Sequence, residues 1–164
     1  GASGIVLPHV STKAEARQVV ESAKFGPIGL RGMFGGRRSF GVSDYFNQAN
    51  EETLVVVLIE EIEAVNNLAE ILTVDHIDVF FVAPSDLAQT MGHTGNHGHP
   101  EVQATIDGAL RQIVQAGRTA GTLVTDDTVE RYLDLGARFI FTSWQAWVAK
   151  GLKEFQAKVD RSRM

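Results

Sequence analysis

Six consecutive apolar residues, Leu54-Val55-Val56-Val57-Leu58-Ile59, run straight into the carboxylate of Glu60. β-Branched side chains at successive positions leave no polar face. A strand built from them has to be covered on both sides, as the strands of parallel α/β sheets are. A second apolar run, Val79-Phe80-Phe81-Val82-Ala83, also leads to an acid, through Pro84-Ser85 to Asp86. Both carboxylates therefore follow the C-terminal ends of buried strands, where barrels and open α/β sheets bind ligands.

The rest of the chain alternates around these runs. Gly4 to Pro8 reads as a short strand with Pro8 tolerated at its end. Ser11 or Thr12 then caps a helix carrying Ala16, Val19, Val20 and Ala23, stopped by Gly26-Pro27. Ile28 to Arg31 reads as another short strand, Gly32 to Gly41 as a long loop, and Ser43 to Asn50 as a short helix. Beyond Glu60, a helix places Ile62, Val65, Leu68, Ala69 and Leu72 on one face, and Leu87 to Met91 makes a turn of helix. Pro100 opens a longer helix with a stripe of Val102, Ile106, Leu110, Ile113 and Val114, ended by Gly117. Thr119 to Val124 is a strand, after which Asp126 or Asp127 caps a helix containing Val129, Tyr132 and Leu133, closed by Gly136. Arg138 to Thr142 is the last strand, and the final helix carries Trp144, Trp147, Val148, Leu152 and Phe155 on one side.

Strict strand–helix alternation implies a parallel sheet with helices outside it, and nothing divides residues 1–164 into more than one domain. A complete (β/α)8 barrel takes about 250 residues. A chain of 164 residues that opens on Gly1 in what reads as the middle of a fold is expected to be the C-terminal portion of a barrel, with two open edges, or else an open doubly wound sheet.

Composition narrows the function classes. A net charge of -5 argues against a nucleic-acid surface, and no apolar stretch is long enough to span a membrane. The absence of cysteine excludes disulfides, thiolate zinc sites and a cysteine nucleophile, and fits a cytoplasmic location.

Glu60 and Asp86 lie one strand–helix–strand step apart, so their side chains can converge. Two carboxylates without a histidine or cysteine partner suit a hard cation, Mg²⁺ or Mn²⁺. Such a cation can chelate a 2-oxo acid and stabilise its enolate as a Lewis acid. The competing reading has Glu60 opening a solvated acidic turn and Asp86 capping a short helix. His93, His97 and His99 are spaced irregularly through Gly and Asn, and no helix holds two of them on one face. They read as a solvated loop rather than a metal cluster. His9 follows Pro8 at the site end of the first strand and either faces the pocket or lies on the surface. Arg31, Arg37 and Arg38 border the Gly-rich loop and either meet an anion or are simply solvated. The Trp144 and Trp147 face is expected to pack on the barrel or on a neighbouring subunit.

Several stretches together resemble the HpcH/HpaI aldolase family of the pyruvate/phosphoenolpyruvate barrel superfamily. They are Val57-Leu58-Ile59-Glu60 with Glu63-Ala64-Val65-Asn66-Asn67-Leu68, then Val82-Ala83-Pro84-Ser85-Asp86-Leu87, then Met91-Gly92-His93-Thr94-Gly95 with His99-Pro100-Glu101-Val102. The opening Gly1 to Val10 is similar as well, so the likeness covers nearly the whole chain in order. It implies an α/β TIM (β/α)8 barrel of the pyruvate/phosphoenolpyruvate type, here lacking its N-terminal strands. It further implies a metal-dependent carbon–carbon lyase that cleaves 4-hydroxy-2-oxo acids to pyruvate and an aldehyde. By the same resemblance Glu60 and Asp86 bind the divalent metal, Mg²⁺ or Mn²⁺, and Leu58, Ser85 and Asp86 line the 2-oxo-acid position. Leu58 stands where many members carry a hydrogen-bonding Gln, and Ala83 replaces the usual Gly. The family's catalytic histidine and pyruvate-binding arginine come from strands upstream of Gly1, so no catalytic residue is assigned here. Family members are commonly hexamers that exchange the last helix, which implies a homo-oligomer. Two other readings are a citrate-lyase-β-like acyl-CoA lyase and a truncated barrel that acts only in assembly.

Overall fold

The computed structural model describes residues 1–34 and 36–161. Five strands, β1 (Gly4–Leu7), β2 (Leu54–Ile59), β3 (Val79–Val82), β4 (Ala120–Val124) and β5 (Phe139–Thr142), form one sheet in the order β1-β2-β3-β4-β5. All four pairings are parallel. Each strand pairs with the next in the chain, so the sheet never reverses its winding. A doubly wound sheet needs such a reversal, which leaves a five-stranded parallel arc of the kind found in a barrel.

The period of two in β2 divides the core. Val55, Val57 and Ile59 are fully buried against the helices, in one cluster with Phe80, Leu68, Leu87, Ile106, Leu110 and Ile113. Burying each large aliphatic side chain of this kind contributes roughly 1.5–3 kcal/mol. Val56 points the other way and joins Val79, Phe81 and Ala83, with Leu58, Leu123 and Phe139 at the margin. This second face, the inner face of the arc, opens at both edges, where Val6 is 56% and Phe141 57% exposed.

The helices follow in order. Helix α1 (Lys13–Ala23) starts with a capping box in which Thr12, not Ser11, accepts from the Glu15 N–H. Helix α2 (Tyr45–Glu52) precedes β2. The single helix expected after Glu60 is two short ones, α3 (Ile62–Asn66) and α4 (Leu68–Ile71), broken at Asn67, whose side-chain amide donates to the Ser11 carbonyl. Helix α5 (Pro84–Thr90) begins directly at Pro84. Helix α6 (Pro100–Gln115) buries Val102, Ile106, Ala109, Leu110 and Ile113, while Val114 is 38% exposed at the edge of the stripe. Neither Asp126 nor Asp127 caps α7 (Val129–Asp134). Thr128 holds the N-cap position, and its hydroxyl accepts from the Thr125 N–H.

The short strand expected at Ile28 to Arg31 is absent. Ile28 and Gly29 donate to the Phe25 carbonyl, Leu30 to Glu21 and Arg31 to Lys24. Carbonyls at the end of α1 and in the turn just after it take these amides, leaving none for a ladder. Gly29 is required there, because a Cβ would lie 2.3 Å from the Lys24 carbonyl oxygen. The loop that follows contains a 3₁₀ turn at Gly36–Ser39, and Gly35 lies outside the described residues. Helix α8 (Trp144–Arg161) has no buried residue. No helix among the described residues is long and apolar enough to cross a membrane.

Candidate active site

The register of β1 and β2 sets the site. Leu7 pairs with Val57, so the chain leaving β1 through Pro8 and His9 runs beside the end of β2 at Glu60. There the His9 N–H donates to Glu60 Oε1 at 2.8 Å. His9 adopts φ 56°, the left-handed region that a non-glycine residue occupies at an energetic cost. Backbone in that conformation turns its amide toward the Glu60 carboxylate and its ring toward Glu61. The ring Nδ1 lies 2.9 Å from Glu61 Oε1 and 3.6 Å from Glu60 Oε1. The Ser11 hydroxyl donates to the other oxygen of Glu61.

Glu60 is only 4% exposed, so it does not open a solvated turn. Its Oε2 accepts no hydrogen bond from a described residue, yet no buried side-chain oxygen or nitrogen among those residues lacks a partner. That oxygen therefore opens to solvent. Asp86 stands in the first turn of α5, exposed beside exposed Ser85, and makes no capping hydrogen bond. The Ala83 N–H donates to the Ile59 carbonyl, placing the start of α5 next to Glu60. Leu58 is half-buried on the inner face of the sheet, in contact with the Val56 and Phe81 cluster.

The acids act together on His9. Its imidazole is held above the usual 6.5, first by the hydrogen bond with Glu61, then by the charge of Glu60, with Asp86 adding in the same direction. Glu61 is held below the usual carboxylate value, first by the Ser11 hydroxyl and then by His9. His9, Glu60 and Asp86 thus follow the C-terminal ends of β1, β2 and β3, with His9 bonded to Glu60 and within the electrostatic reach of Asp86. Glu61 and Ser11 belong to the same cluster, and the only sequence signal for them was their position just beyond two strand ends.

The arginines lie elsewhere. Arg31, Arg37 and Arg38 line a cleft with Gly4, Ile5 and Thr53, at the opposite ends of the strands. Arg31 stacks over Phe25 at 4.5 Å, and Arg38 donates to the Ala2 carbonyl. These three arginines therefore stand away from Glu60 and Asp86. His93, His97 and His99 lie in a loop, as expected. His93 and His99 stack with ring centroids 3.7 Å apart, and Glu101 joins them. His97 is not in the group, and its carbonyl accepts from Gln103.

Residues 1–146 match the family described as HpcH/HpaI aldolase/citrate lyase. A hydroxypyruvate/pyruvate aldolase from Cupriavidus necator is 43% identical over 147 residues, covering 87% of this chain and 55% of the relative. A 4-hydroxy-2-oxo-heptane-1,7-dioate aldolase from Klebsiella pneumoniae is 43% identical over 145 residues, covering 85% of this chain and 55% of the relative. The chain therefore spans about half the length of these relatives. The crystal structure of a protein from Burkholderia cenocepacia J2315, 30% identical, superposes with a TM-score of 0.88 over 98% of this chain and 66% of that one.

Proposed function

This chain belongs to the HpcH/HpaI aldolase/citrate lyase family, and from that premise we propose that it carries the metal-binding part of an aldolase that cleaves 4-hydroxy-2-oxo acids to pyruvate and an aldehyde. The observation that supports this reading best is the pairing of buried Glu60, with one carboxylate oxygen open to solvent, and exposed Asp86 across adjacent strand ends. An all-oxygen donor pair of this kind fits a hard divalent cation, Mg²⁺ or Mn²⁺, which leaves further positions to water or substrate oxygens. When bound, that cation supplies Lewis acidity to the 2-oxo acid and stabilises the enolate of its pyruvate unit.

The remaining work falls to the chain's own residues. His9 fixes the Glu60 carboxylate through its backbone N–H, so the acid is oriented before any ligand arrives. Ser85 and Asp86 border the 2-oxo acid at the start of α5. Leu58 offers an apolar wall where a hydrogen-bonding side chain would otherwise reach the substrate. The step that moves the substrate's 4-hydroxyl proton is assigned to no residue of this chain. A second copy of the chain packs on the apolar face of α8, as a homo-oligomer requires. The cytoplasm is the proposed compartment.

Thermal unfolding tests the reading. Mn²⁺ should raise the melting temperature and pyruvate should raise it further, because each binds only the folded chain. At a hundredfold excess over its Kd a ligand contributes about 2.7 kcal/mol, equivalent to roughly 5–10 °C for a domain of this size. Glu60→Gln should abolish both responses. A Glu60→Gln chain that responds like the parent removes Glu60 from the metal site.

A further inference from the structure

We propose a second metal site, distinct in chemistry from the first, in the loop between α5 and α6. There His93, His99 and Glu101 hold one transition-metal ion of the Zn²⁺ class.

The three side chains stand within reach of a single ion. One ligand atom from each of the three residues lies within 4.8 Å of the other two. The closest pair, His93 Nε2 and Glu101 Oε2, is 3.1 Å apart. Ligands about 2.0–2.1 Å from a tetrahedral Zn²⁺ stand roughly 3.3 Å from one another, so this edge needs almost no adjustment. The two imidazoles lie face to face, 3.7 Å between centroids and 17° from parallel, so the His99 ring has to turn out of the stack for its lone pair to reach an ion held by His93 and Glu101.

The loop holds this arrangement without an ion. The His93 N–H donates to the Ala88 carbonyl at 2.8 Å, Asn96 donates to His93, and His99 donates to Asn96. Gln103 reaches back to the His97 carbonyl. Gly92 at φ 84° and Gly95 at φ 75° make the two reversals the loop needs. Ligands fixed in this way lose little conformational freedom on binding. One contact has to give way. His99 accepts from the Glu101 N–H as the N-cap of α6, at a long 3.3 Å. Coordination through Nδ1 uses that lone pair, and coordination through Nε2 puts the proton on Nδ1. The ion replaces a weak cap in either case.

Ligand type separates this site from the first. Two imidazoles and one carboxylate form a borderline donor set that favours Zn²⁺, Co²⁺ or Ni²⁺, whereas Glu60 and Asp86 offer oxygen alone. Glu101 is 68% exposed, which leaves the fourth corner to water. An ion there ties the loop behind α5 to the first turn of α6.

The test uses the untagged chain carrying Glu60→Gln, so that failure of the first site and failure of this one are distinguishable. Zn²⁺ is titrated in competition with a chromophoric chelator in millimolar Mg²⁺. The expected result is one equivalent bound, at an affinity unchanged by Glu60→Gln. His93→Gln and Glu101→Gln should each weaken it at least about tenfold, since even outer-shell partners of a metal command that much. No Zn²⁺ binding in the Glu60→Gln chain overturns the proposal, as does undiminished binding by folded His93→Gln and Glu101→Gln chains. If His93→Gln does not fold, ring-proton NMR of the parent replaces it. The His93 and His99 signals should both move with one equivalent of Zn²⁺, and static signals overturn the site.

Discussion

His9 brings together backbone conformation, hydrogen bonding and charge at a single residue. Glu61, Glu60 and Asp86 favour its cationic form in the folded chain, so its pKa lies above the ordinary 6.5. Stability from this source is fully present below the unfolded value and is lost as pH rises through the higher folded value. The His9 ring protons should therefore titrate above 6.5 by NMR, and Glu61→Gln should move the midpoint back down. An unchanged midpoint in that variant would show that Glu61 is not the main cause. Glu61 has the opposite sign. Its contribution is present above the ordinary carboxylate value and is lost as pH falls through its lowered one. A divalent cation at Glu60 should also lower the His9 midpoint, because it supplies the positive charge that the imidazolium otherwise provides. That Glu60 and Asp86 stand just past the ends of β2 and β3 was legible from sequence because each follows a buried apolar run. The His9–Glu60 bond was not, because it joins residues 51 positions apart through a left-handed turn that no local pattern encodes.

Among the elements, the junction of α1 with β2 depends on a buried cation. Lys24 is 3% exposed, and its ammonium donates to the Asn50 carbonyl at 2.7 Å and the Thr53 carbonyl at 2.6 Å. Asn50 in turn bonds both backbone groups of Phe25. Lys24→Met keeps the stem but leaves two carbonyls without this donor, and urea unfolding should show a loss of about 1–3 kcal/mol. Strand β4 offers a second test. A Cβ on Gly121 would lie 2.9 Å from the Phe139 carbonyl oxygen and 3.0 Å from Phe81. Gly121→Ala should cost roughly 1–3 kcal/mol by overpacking, read as a lower urea midpoint. The alternation of strands and helices was plain in the hydrophobic periods. Ile28 to Arg31 misled because apolar residues beside glycines read as a strand, while a turn back onto the carbonyls of Glu21, Lys24 and Phe25 takes their amides.

At the scale of the whole molecule, the helices cover one face of the sheet and α8 stands apart with Trp144, Leu152 and Phe155 each more than 60% exposed. The Trp147 indole N–H donates to Asp126 and ties the helix back to the loop after β4. A second copy is proposed to cover that face, so Leu152→Glu combined with Phe155→Glu should shift sedimentation toward the monomer while the far-UV circular dichroism stays that of the parent. Dimers or larger species that persist in this double variant would exclude α8 as the contact. The strand order carries a kinetic consequence as well. Every strand pairs with its successor in the chain, so the sheet can grow by adding one strand at a time to a formed edge. Topologies that add neighbouring segments in this way avoid waiting for remote ones to meet. The amides of β3, flanked by strands on both sides, should then exchange with solvent most slowly, and those of β1 and β5 soonest, as the outermost strands unzip before the sheet opens as a whole.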